Sequence, residues 1–279
     1  MESCVRHPDR PTGVKCTRCE RPACPECLRE ASVGYQCVDC VAEGHRTTRQ
    51  ARTPTGTVAQ PQARPLLVVW VIIAINVVVF AINAFQAGSV AHNELSQSYV
   101  DLVLFPPFVD QGEWWRLFTA GFLHIGPVHL LVNMISLWFV GRFLEPMYGR
   151  LRFTALYLVS MLGGSAAVYV LSAAGAAGAS GAIFGLAGAL LVTILKLKIP
   201  AGQFIAVIAL NLFLSFSLSG ISWADHIGGL VVGALTAVGF LFPRPEIRNK
   251  AQVATVVVIC VVLVGLMLGI GNLAVVDTY

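Results

Sequence analysis

Eight cysteine and histidine residues near the N-terminus form four pairs, and two residues separate the members of each pair. The pairs are Cys4–His7, Cys16–Cys19, Cys24–Cys27 and Cys37–Cys40. This spacing lets both side chains of one tight turn face the same ion, and eight ligands suffice for two tetrahedral Zn²⁺ sites. Because four protein ligands leave no position for water, the pattern predicts two structural zinc ions in a small N-terminal domain.

The order of these pairs leaves two ways to share the ions. In a cross-braced arrangement, which we favour, the first pair joins the third and the second joins the fourth. In a sequential arrangement, neighbouring pairs share an ion. His45 could replace one ligand, although an exposed linker histidine is the simpler interpretation. A redox role for the cysteines is a further alternative. A disulfide framework fits poorly, because the N-terminal module contains seven cysteines, an odd number.

A second group of polar residues lies in the apolar remainder of the chain. Ser180, His124, His129 and His226 fall near the ends of apolar segments. A serine and a histidine at the same depth on two helices could act as nucleophile and base. His129 and Asn133, one helical turn apart, could donate hydrogen bonds to a developing oxyanion. Taken singly, these residues could equally be a helix cap, interfacial histidines or an interhelical hydrogen bond.

The composition indicates which elements carry these residues. The 279-residue chain is 56% hydrophobic and 12% charged, and half of its charged residues precede Pro65. Soluble proteins carry about 25% charged residues, so the composition favours an all-α polytopic membrane protein with a polar N-terminal module. The net charge of +4 gives no indication of nucleic-acid binding.

Apolar runs predict seven membrane-spanning helices, since one span needs about 20 mostly apolar residues. They lie at 66–85, 125–141, two within 153–195 that are separated near 172–179, 201–217, 226–242 and 252–274. Basic residues accumulate in the loops on the N-terminal side, where eleven stand against Arg116 alone on the other side. The positive-inside rule therefore places the N-terminus in the cytoplasm and the C-terminus outside.

The apolar region contains several short motifs. They are Trp115-Arg116, His124-Ile-Gly-Pro-Val-His129 followed by Asn133, Glu145 with Gly149-Arg150, Gly178-Ala-Ser180-Gly181 followed by Phe184, and Asp225-His226-Ile-Gly-Gly229 followed by Gly233. In this order they resemble the motifs of the rhomboid family of intramembrane serine proteases. The N-terminal module resembles B-box-type zinc fingers, although those usually end in histidines where this chain has Cys37 and Cys40. The resemblance implies a six-helix protease core at 66–242, after a zinc domain at 1–46 and a flexible linker at 47–65, and before a loop and seventh helix at 243–279.

The resemblance also implies roles for individual residues. Ser180 would be the nucleophile and His226 its base, with an oxyanion hole formed by His129, Asn133 and the Ser180 backbone N–H. The expected supporting residues are His124, Gly178 and Gly181, together with Phe184, which would stack on the His226 ring. Gly229 and Gly233 would bring the helices together. Trp115 and Arg116 would anchor a loop in the lipid interface. Asp225 would point away from His226, which leaves a dyad without a third acid.

The resemblance implies substrates that are transmembrane proteins, cut near the outer membrane edge. The short loops and compact size suit a bacterial plasma membrane as the location. No cofactor is expected for catalysis. The zinc domain would dock a cytoplasmic protein partner or regulate the membrane domain, or it would serve folding alone. The alternatives are a catalytically silent protein that binds membrane clients and a transporter. The polar residues at one membrane edge, rather than at mid-membrane, argue against the transporter.

Overall fold

The structure is a computed structural model that describes residues 2–48, 52–57, 65–172 and 174–276, with side chains up to residue 269. The chain divides into two compact units, Met1–Ala51 and Arg52–Tyr279. The expectation of a flexible linker falls partly on residues 49–51 and 58–64, which lie outside the described residues.

The first unit is built from short elements around its cysteines. Two antiparallel strand pairs, β1 (Glu2–Ser3) with β2 (Pro11–Thr12) and β3 (Leu28–Glu30) with β4 (Tyr35–Cys37), precede helix α1 (Val38–Thr47). A single 3-10 turn spans Pro25–Cys27. Apart from Ala23 and Leu28, the buried hydrophobic cluster of this unit consists of cysteines. So small an apolar core cannot stabilise a fold without a further crosslink or metal.

The second unit is a bundle of apolar helices with short helices in one long loop. Its helices are α2 (Leu67–Ala87), α3 (Gln97–Leu102), α4 (Pro106–Asp110), α5 (Arg116–Thr119), α6 (Gly126–Tyr148), α7 (Arg150–Leu171), α8 (Ser180–Lys196), α9 (Gly202–Ser217), α10 (Trp223–Leu241) and α11 (Arg248–Val276). Five of the described helices, α2, α6, α7, α10 and α11, are long and apolar enough to cross a membrane, and α8 and α9 are shorter apolar helices. This architecture confirms the predicted all-α membrane fold with a separate Cys/His domain.

Helix α8 lies in the centre of the bundle and packs against α6, α7 and α10. Its buried face includes Gly181, Gly185 and Gly188, which allow neighbouring backbones to approach closely. Helices α2 and α11 are peripheral, because most of their apolar side chains are exposed on the surface of the bundle. A lipid environment would cover these faces, since apolar side chains in contact with hydrocarbon cost no hydrophobic free energy.

The α2–α6 loop, residues 88–125, is ordered by a set of internal polar contacts. It contains α3, α4, α5 and 3-10 turns at Asn93–Leu95 and Ala120–Phe122. Asn93 is buried; its Nδ2 donates to the carbonyl oxygen of His124 at 2.7 Å and its Oδ1 accepts from the Gly126 N–H at 2.8 Å. The loop is therefore fixed directly to the start of α6.

Part of the expected linker is packed against the membrane unit. Thr55 Oγ1 donates to the carbonyl oxygen of Met147 at 2.6 Å, and Thr57 Oγ1 donates to that of Tyr148 at 3.0 Å. Gln252 on α11 donates to the carbonyl oxygen of Thr55 at 3.1 Å. Threonine hydroxyls can satisfy the free carbonyls at the end of a helix, which composition alone does not reveal.

Candidate active site and metal clusters

Three helix N-termini meet at one end of the bundle, which we call the serine end because α8 begins there with Ser180. His129 is the fourth residue of α6 and His226 the fourth residue of α10. Because one helix separates α6 from α8 and α8 from α10, all three run in the same direction. The structure therefore brings the candidate nucleophile, base and oxyanion donor to one end of the bundle.

The turn that precedes Ser180 is held by the α2–α6 loop. The Ala176 N–H donates to the carbonyl oxygen of Leu104 at 2.9 Å, and the Gly178 N–H donates to that of Ala120 at 3.0 Å. Gly178 has φ +132, a conformation that L side chains rarely adopt. Ser180 is the first residue of α8, so its backbone N–H has no acceptor within the helix.

The Ser180 hydroxyl contacts an acid that we did not expect at the site. Ser180 Oγ donates to Asp225 Oδ2 at 3.1 Å. Asp225 does point away from His226, as expected, but its carboxylate lies against Gly164 of α7 and Gly181 of α8. A small cavity lined by Asp225, Ser165 and Gly178, among other residues, adjoins this contact. In this structure the Ser180 hydroxyl is therefore hydrogen-bonded to Asp225 rather than to His226.

His226 is enclosed by two neighbouring helices. The Phe184 ring of α8 stacks on the imidazole with ring centroids 4.1 Å apart and an interplanar angle of 16°. Ser215 Oγ of α9 lies 2.7 Å from His226 Nδ1. Phe184 is one turn after Ser180, so the face of α8 that carries the serine also carries the ring that orients His226.

His129 directs a hydrogen-bond donor toward the turn that precedes Ser180. Its Nδ1 accepts from the Ile125 N–H at 3.3 Å, so a neutral ring carries its proton on Nε2. That Nε2 lies 3.0 Å from the position of a Cβ on Gly178, and the same position lies 3.6 Å from Ser180 Oγ. Asn133 is buried, and its Nδ2 donates to the carbonyl oxygen of His129 at 2.9 Å. One N–H of Asn133 is thus used within α6, which leaves its second N–H for a ligand.

The His124 ring packs against the His129 ring. Its ring is fully buried, and its centroid lies 5.0 Å from that of His129. Burial, the main cause, lowers the pKa of His124 to about 3. His124 therefore stays neutral across the physiological pH range and acts as a packing partner of the His129 ring.

The expectation that Arg116 anchors the loop in lipid is wrong. Its side chain is buried, with Nε 2.6 Å from Glu113 Oε2 and Nη1 donating to the carbonyl oxygens of Val100 and Val103 at 2.6 and 2.9 Å. A guanidinium satisfies several acceptors at once, so here it crosslinks the α2–α6 loop internally. Trp115 is 51% exposed, and its Nε1 donates to the carbonyl oxygen of Asp101 at 3.2 Å. Of the two residues, only Trp115 therefore presents an apolar surface.

Glycines set the separation of α8 and α10. A Cβ on Gly229 would overlap the carbonyl oxygen of Gly181, and one on Gly233 would overlap that of Gly185. A Cβ on Gly181 would overlap the Asp225 carboxylate. The close backbone approach requires residues without side chains, and it brings Ser180 to the helix that carries Asp225 and His226.

The cysteines and His7 of the first unit form two clusters. One contains Cys4, His7, Cys24 and Cys27, and the other contains Cys16, Cys19, Cys37 and Cys40. This is the cross-braced grouping that we favoured, with the ligand atoms of each cluster within 4.8 Å of one another. His45 is exposed on α1 and lies outside both clusters. None of the eight cysteines forms a disulfide.

The donor atoms of both clusters fit a tetrahedral zinc ion. His7 Nδ1 lies 3.4 Å from Cys24 Sγ and 3.3 Å from Cys27 Sγ, and Cys19 Sγ lies 3.7 Å from Cys37 Sγ. Ligand atoms about 2.0 to 2.3 Å from one Zn²⁺ at tetrahedral angles are separated by similar distances. The two clusters could therefore each hold one Zn²⁺ through four protein ligands.

Two contacts at the serine end, Ser180 with Asp225 and His226 with Ser215, do not follow from the sequence. The sequence places Asp225 on a different helix face from His226, and it gives Ser215 no role. No spacing in the sequence distinguishes Ser215 from the exposed Ser217, because only the packing of α9 buries Ile208 and Ser215. Asp225 does carry a signal in the sequence. It is an acidic residue in an apolar segment, and such a residue needs a polar partner.

Comparisons with known proteins agree with this geometry. A family model described as the rhomboid domain matches residues 111–244. The chain is 42% identical to the rhomboid protease GluP of Bacillus subtilis (strain 168) over 156 residues, which make up 54% of this chain and 31% of that protein. It is 40% identical to RHOMBOID-like protein 1 of Arabidopsis thaliana over 145 residues, or 50% of this chain and 37% of the relative.

A shorter relative is covered more completely. The putative rhomboid protease YdcA of Bacillus subtilis (strain 168) is 39% identical over 134 residues, which make up 46% of this chain and 67% of YdcA. The chain thus spans about a third of the length of the first two relatives and two thirds of YdcA. The region matched by the family model includes Ser180, His129, Asn133 and His226 but neither the Cys/His unit nor α11.

Proposed function

This chain belongs to the rhomboid family of intramembrane proteases, and from that premise we propose that it is a serine endopeptidase that uses Ser180 and His226. The observation that carries the proposal is the meeting of Ser180, His129 and the Phe184–His226 stack at one end of the bundle. A serine is a weak nucleophile unless a base accepts its proton, and His226 is held on the helix packed closely against α8.

In the proposed reaction, Ser180 first exchanges its hydrogen bond to Asp225 for one to His226 by rotation about Cα–Cβ. The Ser180 oxygen then bonds to the substrate carbonyl carbon while its proton passes to His226 Nε2. The Nε2–H of His129, the Ser180 backbone N–H and the free N–H of Asn133 donate to the resulting oxyanion. His226 returns the proton to the leaving amine as the C–N bond breaks, and water releases the acyl group by the same steps.

We propose that the substrates are transmembrane segments of other proteins. An α-helix hides its carbonyls in intrahelical hydrogen bonds, so a segment must unwind before Ser180 can attack it. Small residues at the cut fit the narrow space at Gly178, whose Cβ position lies within 4 Å of His129 and Ser180. A glycine or proline near the cut would lower the cost of unwinding.

The proposed orientation follows from the charges at the two ends of the bundle. Arg142, Arg150, Arg152, Lys196 and Lys198 flank the helix ends opposite to the serine end. The positive-inside rule places these loops in the cytoplasm, so the serine end faces outward. With seven spans, the N-terminal unit is cytoplasmic, where reduced thiols can bind the two proposed Zn²⁺ ions.

A fluorophosphonate probe tests the proposed nucleophile without knowledge of the substrate. The purified chain, reconstituted in lipid, would be incubated with the probe beside Ser180→Ala and His226→Ala. The matched control is Ser219→Ala, which removes an exposed hydroxyl just beyond α9. We expect labelling of the wild type and of Ser219→Ala, and loss of labelling in the other two variants.

The result also separates the protease from the catalytically silent alternative. Labelling that persists in Ser180→Ala would place the reactive serine elsewhere. A folded wild type that takes up no probe and cuts no transmembrane segment would contradict the protease and favour a client-binding protein.

A further inference from the structure

We propose that Ser215 on α9 is a positioning residue that selects the proton-accepting tautomer of His226. The inference rests on the proposed function, because it concerns how His226 becomes a base for Ser180. The two side chains that it links come from different helices, and the Ser215 Oγ to His226 Nδ1 distance is 2.7 Å.

The first step of the argument is the direction of this hydrogen bond. Ser215 Oγ also lies 2.7 Å from the carbonyl oxygen of Asn211, one turn earlier on α9, and donates to it. A hydroxyl has a single hydrogen, and a carbonyl can only accept. Ser215 therefore accepts from His226, and His226 Nδ1 must carry a proton.

The second step is the consequence for catalysis. A neutral imidazole with its proton on Nδ1 has an unprotonated Nε2, which is the atom that must receive the Ser180 proton. With the proton on Nε2 instead, the ring could not act as a base on the serine. In serine hydrolases with a triad an acid performs this selection. Here Asp225 bonds to Ser180 and not to His226, so the acid next to the histidine does not do so.

The third step is that α9 presents this hydroxyl on its buried face. Its buried residues are Ile208 and Ser215, seven positions apart and hence on one face, while most of the remaining side chains are exposed. Ser215 is 3% exposed and His226 is 8% exposed, so water competes little for the bond. Phe184 covers the flat side of the imidazole and leaves the bond at its edge intact.

Variants at position 215 test the proposal in the reconstituted full-length chain. Ser215→Ala should lower the rate of fluorophosphonate labelling roughly tenfold, the effect of losing one buried hydrogen bond. Ser215→Thr should restore most of the rate, because threonine can also donate to the i−4 carbonyl and accept from His226. The matched control is Ser217→Ala, since Ser217 donates to the Phe213 carbonyl oxygen at 2.8 Å but is exposed.

A spectroscopic readout distinguishes tautomer selection from simple packing. With ¹⁵N-labelled histidine, the His226 signal, assigned by its loss in His226→Ala, should report a proton on Nδ1 in the wild type. In Ser215→Ala the signal should shift toward the Nε2-protonated form, and in Ser215→Thr it should return. A packing defect would change the labelling rate without moving the tautomer.

The outcomes separate this inference from the proposed function. A wild type that is labelled through Ser180, together with a Ser215→Ala variant of unchanged rate and unchanged tautomer, would overturn the role of Ser215 alone. A reduced rate without a tautomer shift would overturn it as well. Absence of Ser180 labelling in the wild type would instead contradict the proposed function.

Discussion

At the scale of single residues, the site depends on which nitrogen of each histidine carries the proton. The Ile125 N–H occupies Nδ1 of His129, and Ser215 occupies Nδ1 of His226. The two rings are therefore presented in opposite roles, His129 with a protonated Nε2 as donor and His226 with a free Nε2 as acceptor. The hydrogen-bonding states that the proposed oxyanion donor and the proposed base require are thus set by a backbone N–H and a hydroxyl.

His129→Ala should lower kcat by about a hundredfold with little change in KM, since an oxyanion donor acts mainly in the transition state. Asn133→Ala should cost less, because one of its two amide hydrogens already donates to the His129 carbonyl oxygen. Cleavage of a transmembrane model substrate in lipid measures both values. An equal or larger loss for Asn133→Ala would show that the amide, not the imidazole, is the main donor.

Activity should also fall on acidification. A protonated His226 has no lone pair for the serine proton, so the active form is present at high pH and is lost as pH falls. Cleavage rates from pH 4 to 8 in lipid vesicles measure this loss, and the folded state of the protein is monitored at each pH as a control. A rate that rises as the pH falls would contradict His226 as the base.

At the scale of elements, the packing of α8 against α10 sets the site. The carbonyl oxygens of Gly181 and Gly185 occupy the space where Cβ atoms of Gly229 and Gly233 would lie. In lipid, close backbone packing of this kind replaces the hydrophobic effect as a source of helix association. The position of His226 relative to Ser180 therefore depends on glycines one or two turns further along the helices.

Gly233→Ala should lower the stability of the bundle by about 1 to 3 kcal/mol, because the methyl group forces α10 away from α8. It should also reduce labelling of Ser180, although position 233 is two turns from His226. Gly265→Ala on α11 is the matched control, since no atom lies within 4 Å of its added Cβ. Thermal unfolding in detergent measures both variants, and equal midpoints would contradict the packing argument.

At the scale of the whole molecule, the chain combines two units that are stabilised in different ways. The buried cluster of Met1–Ala51 consists mostly of the cysteines of the two Cys/His clusters, whereas Arg52–Tyr279 has a large apolar core around α8. The free energy of zinc binding should therefore be the folding free energy of the first unit. The membrane unit has no such dependence among its described residues, since both Cys/His clusters lie in the first unit.

Removal of zinc should unfold the N-terminal unit and leave Ser180 reactive. The purified chain is expected to hold two Zn²⁺ per molecule by elemental analysis, and one in Cys16→Ser or Cys24→Ser. After chelation, limited proteolysis should cut within residues 1–48 while fluorophosphonate labelling persists. Loss of labelling on chelation, with the helices still folded, would instead make the metal a regulator of the protease.

The elements of this protein follow from local properties of the sequence. The apolar segments predicted seven helices near the observed positions, because the length and hydropathy of one segment decide whether it can cross a bilayer. The two-residue spacing predicted the metal-ligand pairs, because one tight turn brings both ligands together. The order of the pairs alone left the cross-braced grouping as one of two alternatives, and the folded unit selected it.

The contacts between elements were decided only by the tertiary structure. Asp225 is next to His226 in sequence, yet it accepts a hydrogen bond from Ser180. His226 is hydrogen-bonded to Ser215 on another helix. Arg116 follows an exposed tryptophan but is enclosed by its own loop. Which side chains meet across helices depends on crossing geometry and glycine packing over whole helices, and no local spacing encodes these.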